Sequence, residues 1–529
     1  MEKIERLLPY VKNPARYLGK EINVVIKKNN YVKFALGYPD IYEVGMSSLG
    51  LRILYGVLNE RDDCVCERFF SPWIDFETLM KRENIPLFSL ETKTPLFSFD
   101  IIGITLSSEL NYTNFLNILA LSNIPIYSEE RKDNHPIVIV GGNCAFNPFP
   151  ILPFGDAFVI GEGEEVVNEI VEIVKENRGK RYKILENLNK IESVFVPIFK
   201  KEIVKKAYVK NFNNSFFPTK YLVPLTDIIH DRISIEIMRG CPSGCKFCQA
   251  GSCWKPVRIR EAEKILEIAR QTYKNTGYEE ISLLSFSAGD HPDIENIVMK
   301  LVEEFKDKRV SISFPSLRID TFSFQLALKI KEIKKSNLTF APETSEKLRK
   351  KIGKNISDEK LVNLVLQAKN NNYRHIKLYF MIGLPDEDES DIEEILKLIN
   401  EISKILSVHV SFNTFIPKPH TFYEKERFIT KKEYEIKRNY ITEKLKRNRY
   451  VKFSFQPYEC SLVEYFLGKG DERVSRIIYN TWKKGAKFEN WKEFFDFKIW
   501  EESFKEEGLE INDYLNKIRF QKGLEFIKF

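Results

Sequence analysis

The chain has 529 residues, 43% of them hydrophobic, with 82 Lys and Arg against 75 Asp and Glu for a formal charge of +7. That is the composition of a soluble globular protein of two or three domains. It excludes a disulfide scaffold, because eight cysteines are too few, and a membrane span, because no apolar run approaches the roughly 20 residues needed. The N-terminal MEKIERLLPYVKNPARYLG has no continuous apolar core, so no secretory signal is expected and a cytoplasmic location is. The charge balance permits an anionic partner such as RNA and decides nothing more.

In chain order, VKFALGYP (Val32 to Pro39), FDIIGITLS (Phe99 to Ser107), PIVIVGG (Pro136 to Gly142) and DAFVIGEGE (Asp156 to Glu164) read as buried strands, and Cys64-x-Cys66 lies on another. Helical patterns at Ser47 to Asn59 and about Glu164 to Glu176 alternate with them, which is the signature of a doubly wound sheet. We place this α/β domain at residues 1–195 and a basic, less regular connector at 196–230. A second α/β block, 231–428, opens with ISIEIM (Ile233 to Met238). It continues through ISLLSFS, VSISF, NLTFAPE, IKLYFMIG and VHVSFNTF, giving six expected strands, a partial (β/α)6 barrel whose chemistry belongs at the C-terminal strand ends. Residues 429–529 read as mostly helical, without repeats or low-complexity segments.

The first barrel strand runs into RGCPSGCKFCQAG, where Cys241, Cys245 and Cys248 are spaced C-x3-C-x2-C. Soft thiolates select zinc or iron–sulfur clusters. Zinc needs a fourth ligand, for which Cys253 is a candidate, but no second cysteine knuckle follows. Three unrelated buried cysteines fit poorly with a polar loop carrying Arg239 and Lys246. Three thiolates on a four-iron cluster leave one iron open for a substrate.

Cys241-x3-Cys245-x-Phe247-Cys248 at the end of a first barrel strand resembles the signature of radical S-adenosylmethionine (SAM) enzymes. The resemblance implies a [4Fe-4S] cluster on the three cysteines, SAM chelated at the open iron, and a 5′-deoxyadenosyl radical after reductive cleavage. It also implies a reductase or a flavodoxin- or ferredoxin-type protein as electron donor. Carried over by position, Phe247 lies near the adenine, and Ser287, Gly289 and Asp290 in SAGD meet the SAM amino group. Ser316 and Arg318 meet its carboxylate or ribose, Glu343 stands beside SAM, and Met381, Ile382 and Gly383 pack on adenine. Solvated turns and plain barrel core are the alternatives at Ser316, Arg318, Met381 and Ile382.

The first domain resembles the cobalamin-binding domains that precede some radical SAM barrels. The family pattern Asp-x-His-x-x-Gly, Ser-x-Leu, Gly-Gly corresponds to Asp40, Tyr42 and Gly45, then Ser108 and Leu110, then Gly141 and Gly142. Tyr42 stands where the cobalt-ligating histidine would be, so cobalamin is expected without a histidine lower ligand. Whole segments, from PDIYEVGMSSLG to GKGDERVSRIIYNTW, are similar to a bacterial family of cobalamin-domain radical SAM proteins of unassigned function.

After the sixth strand, FIPKPHTFY resembles a segment of methylthiotransferases, and Lys418 and His420 are substrate-side candidates; otherwise the prolines stiffen the barrel exit. Between Lys425 and Lys452 eleven Lys and Arg face four Glu, with Tyr440 and Tyr450 interleaved, either a solvated face or a phosphate-binding one. Cys64 and Cys66 are expected to be core, Cys144 is a residue near the corrin at most, and Cys460 has no partner at metal spacing.

Three readings follow. The first is a cobalamin-dependent radical SAM methyltransferase acting on an unactivated carbon. The second is a radical SAM enzyme that thiolates or rearranges RNA or a metabolite without cobalamin. The third is a non-catalytic zinc and RNA-binding protein. Composition and motifs leave the substrate open.

Overall fold

The computed structural model describes residues 2–27, 32–199, 201–313, 338–518 and 524–529. Two compact units emerge, one of residues 1–231, 271–277 and 466–529, the other of residues 232–270 and 278–465.

The first unit is built on β1 (Val32–Tyr38), β2 (Cys64–Phe70), β3 (Ile101–Thr105), β4 (Ile137–Gly141), β5 (Ala157–Val159) and β6 (Val194–Phe195). Their order is β2-β1-β3-β4-β5-β6, parallel except for the antiparallel β5–β6 pair. Helices cover both faces, so the strands read as continuous apolar runs rather than alternating ones. The order reverses between β1 and β3, and doubly wound sheets bind ligands outside the strand ends at such a point. Cys64 and Cys66 are buried in β2, as expected of core residues. Under the sheet edge, the fully buried Arg68 pairs with Glu21 at 2.9 Å and Glu91 at 2.7 Å.

The connector joins this unit instead of standing apart. Gly161 bridges Ala207, and Ile22 bridges Val223, while Phe216 packs against the hydrophobic core of the sheet.

The second unit holds, among the described residues, seven parallel strands where six were expected, besides a short antiparallel ribbon. Parallel β7 (Ile233–Glu236), β8 (Glu280–Leu284) and β9 (Ser311–Ser313) form one sheet in the order β9-β8-β7. Parallel β10 (Leu338–Glu343), β11 (His375–Ile382), β12 (Ser407–Thr414) and β13 (Val451–Phe455) form another in sequential order. In β11 every second residue is buried, the period of two that a half-buried strand requires. The extra strand, β13, lies in the region expected to be helical. Val408 to Phe412 of β12 would otherwise be an unpaired edge, and Val451 to Phe455 cover it. Around β13 the expected helices do form, at Lys431–Leu445, Tyr458–Lys469, Arg473–Lys483, Phe497–Glu506 and Ile511–Ile518.

The chain after Phe466 returns to the first unit, so the boundary expected at 429 falls later. Asn147, just past β4, donates its amide to the carbonyls of Gly468 (2.8 Å) and Gly470 (3.2 Å). The segment Lys487–Phe494 then straps two helices of the first unit, Ile74–Arg82 and Tyr112–Leu121: Lys487 pairs with Glu77 at 2.8 Å, and the Phe488 amide donates to Asn114 Oδ1 at 2.7 Å. Inside the strap, Glu489 accepts the Trp500 indole N–H on Oε2 at 2.7 Å, and its Oε1 is buried without a hydrogen-bond partner.

Burial pushes the Glu489 carboxyl up to about 7, against the smaller opposing pull of the Trp500 N–H. In the unfolded chain a glutamate titrates near 4.3. Between those values the folded state keeps a proton that the unfolded state has released, so this contribution is complete at low pH and fades as pH rises through 7. It amounts to on the order of 3 kcal/mol. Thermal unfolding at pH 5.5 and pH 8 should therefore show a larger loss of stability for the native chain than for Glu489→Gln; equal losses would contradict this account.

Candidate functional site

The cysteine loop is closed at its base by a short antiparallel ribbon, Arg258–Ile259 on Met238–Arg239. Buried Arg260 donates to the Glu236 carbonyl at 3.1 Å, and Arg239 pairs with Glu236 at 2.7 Å. Gly240 opens the loop at φ +87°, and a Cβ there would sit 2.6 Å from the Trp254 carbonyl oxygen, so only glycine can make this turn.

Two other segments pin the loop. The Lys246 amide donates to the Ile352 carbonyl at 3.0 Å, and the Tyr423 amide donates to the Lys246 carbonyl at 3.1 Å. Gly353, at φ +81°, presses on the loop so closely that a Cβ would lie 2.9 Å from the Gly244 carbonyl oxygen. The Gln249 amide reaches the Pro419 carbonyl at 3.1 Å, and the Lys246 ammonium lies 4.8 Å over the Phe422 ring.

Within this clamp Cys241 is buried and Cys245 and Cys248 are half-buried. Burial raises the Cys248 thiol, and the neighbouring Cys241 and Glu343 add to the rise; backbone N–H groups of Ala250 and Gly251 bond its sulfur. Such N–H donors to sulfur are what a cluster thiolate needs to spread its charge. Cys253 is buried in the helix Ala250–Cys253.

Phe247 and Met381 pack together against buried Leu348, Ile352, Leu384, Phe415 and Tyr423. Glu343 ends β10 at φ +70° and pairs with Lys354 at 2.7 Å. The turn that presents it is held by Arg349, which is fully buried and donates to the carbonyls of Pro342 (2.8 Å), Thr344 (2.7 Å) and Ile356 (2.7 Å). Ser287 is buried and its hydroxyl donates to Asp290 at 2.6 Å, with half-buried Gly289 between them. Ser316 and Arg318 lie outside the described residues.

Two expectations, Ile382 and Lys418, are redirected. Ile382 is fully buried and serves the core. Lys418 pairs with Glu464 at 2.8 Å, and the His420 amide donates to Glu424 at 2.8 Å from a residue at φ +60°. Through the Pro419 carbonyl, the Phe422 ring and the Tyr423 amide, FIPKPHTFY braces the cysteine loop. The Gly383 amide donates to Glu387 at 2.9 Å, and Glu387 is itself ion-paired with Lys437. Glu387 had no local signal because its ion-pair partner Lys437 is remote in the chain; Arg349 bonds nearby carbonyls, but nothing in the run RKKIGK marks it out from the neighbouring lysines as the buried cation.

At the strand ends of the first unit, the Asp40-to-Gly45 element is turned inward. Asp40 is 3% exposed; its Oδ1 accepts from the Ile41 amide at 2.8 Å and from the Trp491 indole at 3.0 Å. Burial raises its carboxyl. Tyr42 is 1% exposed and donates its hydroxyl to Glu21 at 2.9 Å. Gly45 makes room for the Phe70 ring, which a Cβ would approach to 2.1 Å. A phenol committed to a carboxylate in the core has no face for a metal, so Tyr42 supplies no cobalt ligand. The other elements differ. Leu110 is buried, but Ser108 is partly exposed and reaches Asn490 at 3.3 Å. Gly142 makes the turn at φ +95°, and a Cβ on Gly141 would meet no atom within 4 Å. That bare strand end is a surface on which a flat group can rest. Buried Cys144 bonds the Tyr112 hydroxyl there.

Residues 50–197 match the family of radical SAM proteins, N-terminal, and residues 235–399 match the radical SAM superfamily. An uncharacterized protein of Methanocaldococcus jannaschii is 30% identical over 450 residues, covering 84% of this chain and 90% of that protein. A tRNA-2-methylthio-N6-dimethylallyladenosine synthase of Anaplasma phagocytophilum is 25% identical over 200 residues, covering 35% of this chain and 44% of the synthase. Among solved structures, the radical SAM methyltransferase TsrM of Kitasatospora setae, with cobalamin and a [4Fe-4S] cluster bound, shares the fold at a TM-score of 0.55 and 13% identity. That likeness covers 75% of this chain and 74% of TsrM. With three cysteines clamped at the end of its first barrel strand and a doubly wound sheet preceding it, the chain belongs to the radical SAM superfamily and has the cobalamin-binding type of architecture.

Proposed function

We propose that the protein is a cobalamin-dependent radical SAM methyltransferase acting on an unactivated carbon, with Cys241, Cys245 and Cys248 as the only protein ligands of its [4Fe-4S] cluster. The clamped loop carries this reading: three thiols on one short segment, with N–H donors already aimed at Cys248 and with Phe247 and Met381 packed on one apolar cluster. When bound, the cluster supplies the electron that cleaves SAM. Phe247, Met381 and the Gly383 turn then hold the adenine, the Gly383 amide being kept in place by Glu387. Glu343, held by Lys354 and by the turn that Arg349 ties down, orients the nucleoside end of SAM. Asp290, fixed by Ser287, accepts from the SAM ammonium with Gly289 giving close approach; Ser316 and Arg318 are assigned to the carboxylate or ribose on the resemblance alone.

When bound, cobalamin supplies the methyl group to be transferred. Ser108, Gly141 and Gly142 would carry it, and Tyr42, turned inward to Glu21, would not contribute a ligand. The likeness of fold to TsrM supports this half of the reading. A reductase or a flavodoxin- or ferredoxin-type protein supplies electrons.

The likeness to the methylthio-tRNA synthase favours a second reading, an RNA-modifying radical SAM enzyme without cobalamin. Lys432, Lys446, Arg447 and Lys452 are exposed along the basic stretch that such a substrate would meet.

Anaerobic purification from cells supplied with cobalamin, followed by iron, sulfide and cobalt analysis, tests the proposal. Four irons with one cobalt per chain are expected; four irons without cobalt would leave the second reading, and zinc without sulfide would overturn both. Separately, Gly353→Ala forces a side chain into a left-handed turn against the Gly244 carbonyl. Cluster occupancy should fall several-fold while the far-UV circular dichroism is retained. Full occupancy in that variant would show that the clamp is not needed to hold the loop.

A further inference from the structure

The strap Lys487–Phe494 lies on the residues that the cobalamin resemblance marks, and it is firmly built there. Trp491 donates to Asp40 at 3.0 Å and Asn490 donates to Asn111 at 2.6 Å. Trp73 anchors the same segment, with ring centroids 5.1 Å from Phe488, 5.3 Å from Trp491 and 5.2 Å from Phe494. Every partner of the strap named here belongs to the first unit, and Asp40 and Asn111 flank the point between β1 and β3 where the strand order reverses.

Asn490 nevertheless stays exposed. An amide has two N–H donors and an oxygen with two lone pairs. Asn111 takes one donor and the Ser108 hydroxyl uses the oxygen once, at 3.3 Å, so half of the hydrogen-bonding capacity of Asn490 faces outward. Beside it, Ser107 and Asn143 are also exposed and Trp491 is half-exposed, around the open space at Gly141. Ser107, Ser108, Asn143 and Asn490 thus offer neutral donors and acceptors next to a bare backbone, with the partly exposed Glu109 following Ser108. A corrin ring is flat and carries neutral primary amides around its periphery, which pair with such groups. The indole of Trp491, pinned by Asp40, adds an apolar edge that stands where the inward-turned Tyr42 offers none.

Resting on the cobalamin reading above, we propose that Asn490 and Trp491 of the C-terminal strap are cobalamin-binding residues, so that the corrin site is shared between the N-terminal sheet and the end of the chain. Asn490 would hold a peripheral amide of the corrin together with Ser108, and Trp491 would cover part of the ring edge. The strap acts as a fixed wall of the site, since its hydrogen bonds and the Trp73 cluster are internal to the unit.

The test uses the full-length protein purified anaerobically from cells deprived of cobalamin, titrated with hydroxocobalamin and followed by equilibrium dialysis of cobalt. The native chain, Asn490→Ala, Trp491→Phe and Trp500→Phe are compared, each with its thermal unfolding midpoint. Loss of one or two neutral hydrogen bonds corresponds to about a 5- to 20-fold weaker affinity, expected for Asn490→Ala with an unchanged midpoint. Trp491→Phe removes both the indole N–H that bonds Asp40 and part of the apolar ring that would cover the corrin edge, so it should weaken binding by a similar factor. Trp500→Phe loosens the strap from within at Glu489, away from the rim, and should leave affinity within about twofold once folded protein is counted. Native affinity in both Asn490→Ala and Trp491→Phe would overturn the inference while leaving the cobalamin reading intact. Tighter binding in those variants would overturn it in favour of a strap that covers the site. No uptake by the native chain would overturn the cobalamin reading and this inference with it.

Discussion

The clamp on the cysteine loop is the constraint on which the rest of the second unit depends. Three thiols brought together in their reactive form repel one another, and a free loop would scatter them. Here the ribbon of Arg258–Ile259 on Met238–Arg239 closes the base, Ile352 and Gly353 press on the middle, and Tyr423 holds the Lys246 carbonyl. Each of these contacts comes from a different part of the unit: the return of the first strand, the helix after β10, and the segment after β12. The order of the cysteines thus derives from the whole sheet arrangement, and ordering cost is met when the chain folds rather than when a cluster is built.

Much of this was legible locally. The strands β11 and β12 announce themselves by alternation, and the C-x3-C-x2-C loop announces its chemistry by spacing and by the glycine that admits it. Glu343 and Met381 are marked by resemblance alone; in the structure Glu343 contributes to raising the Cys248 thiol, and Met381 packs against the same apolar cluster as Phe247. What was not legible depends on partners far apart in the chain. Nothing near Asp40 points to Trp491, and nothing near Gly383 points to Lys437, since contacts between segments remote in the chain leave no periodic trace. The strand Val451–Phe455 is an intermediate case: Lys452 and Ser454 alternate with less exposed neighbours, a signal masked by the basic helix that precedes it. The unit boundaries failed to show for the same reason, because the chain leaves the first unit and returns to it after Phe466.

The first unit shows how a motif can persist while its side chains change employment. Asp40, Tyr42 and Gly45 keep the spacing of a cofactor loop, yet Asp40 anchors Trp491, Tyr42 bonds Glu21 and Gly45 makes room for Phe70. Glu21 in turn shares the buried Arg68 with Glu91, so returning Tyr42 to the surface would strip a hydrogen bond from a buried carboxylate. Replacing the tyrosine by a ligand histidine is thereby opposed by the core itself. The strand ends of β3 and β4 are less deeply committed: Ser108 is partly exposed, and a Cβ on Gly141 would meet no atom within 4 Å.

The central claim is that the three cysteines leave one iron of a [4Fe-4S] cluster open to SAM. Electron paramagnetic resonance of the anaerobically reduced protein, recorded with and without SAM, tests it most directly, with SAM labelled with oxygen-17 in its carboxylate for hyperfine detection. The account predicts a reduced-cluster signal that changes on adding SAM and gains a coupling to the labelled carboxylate, both absent when Cys241, Cys245 or Cys248 is replaced by alanine. A cluster signal indifferent to SAM, or one that survives those replacements, would contradict it.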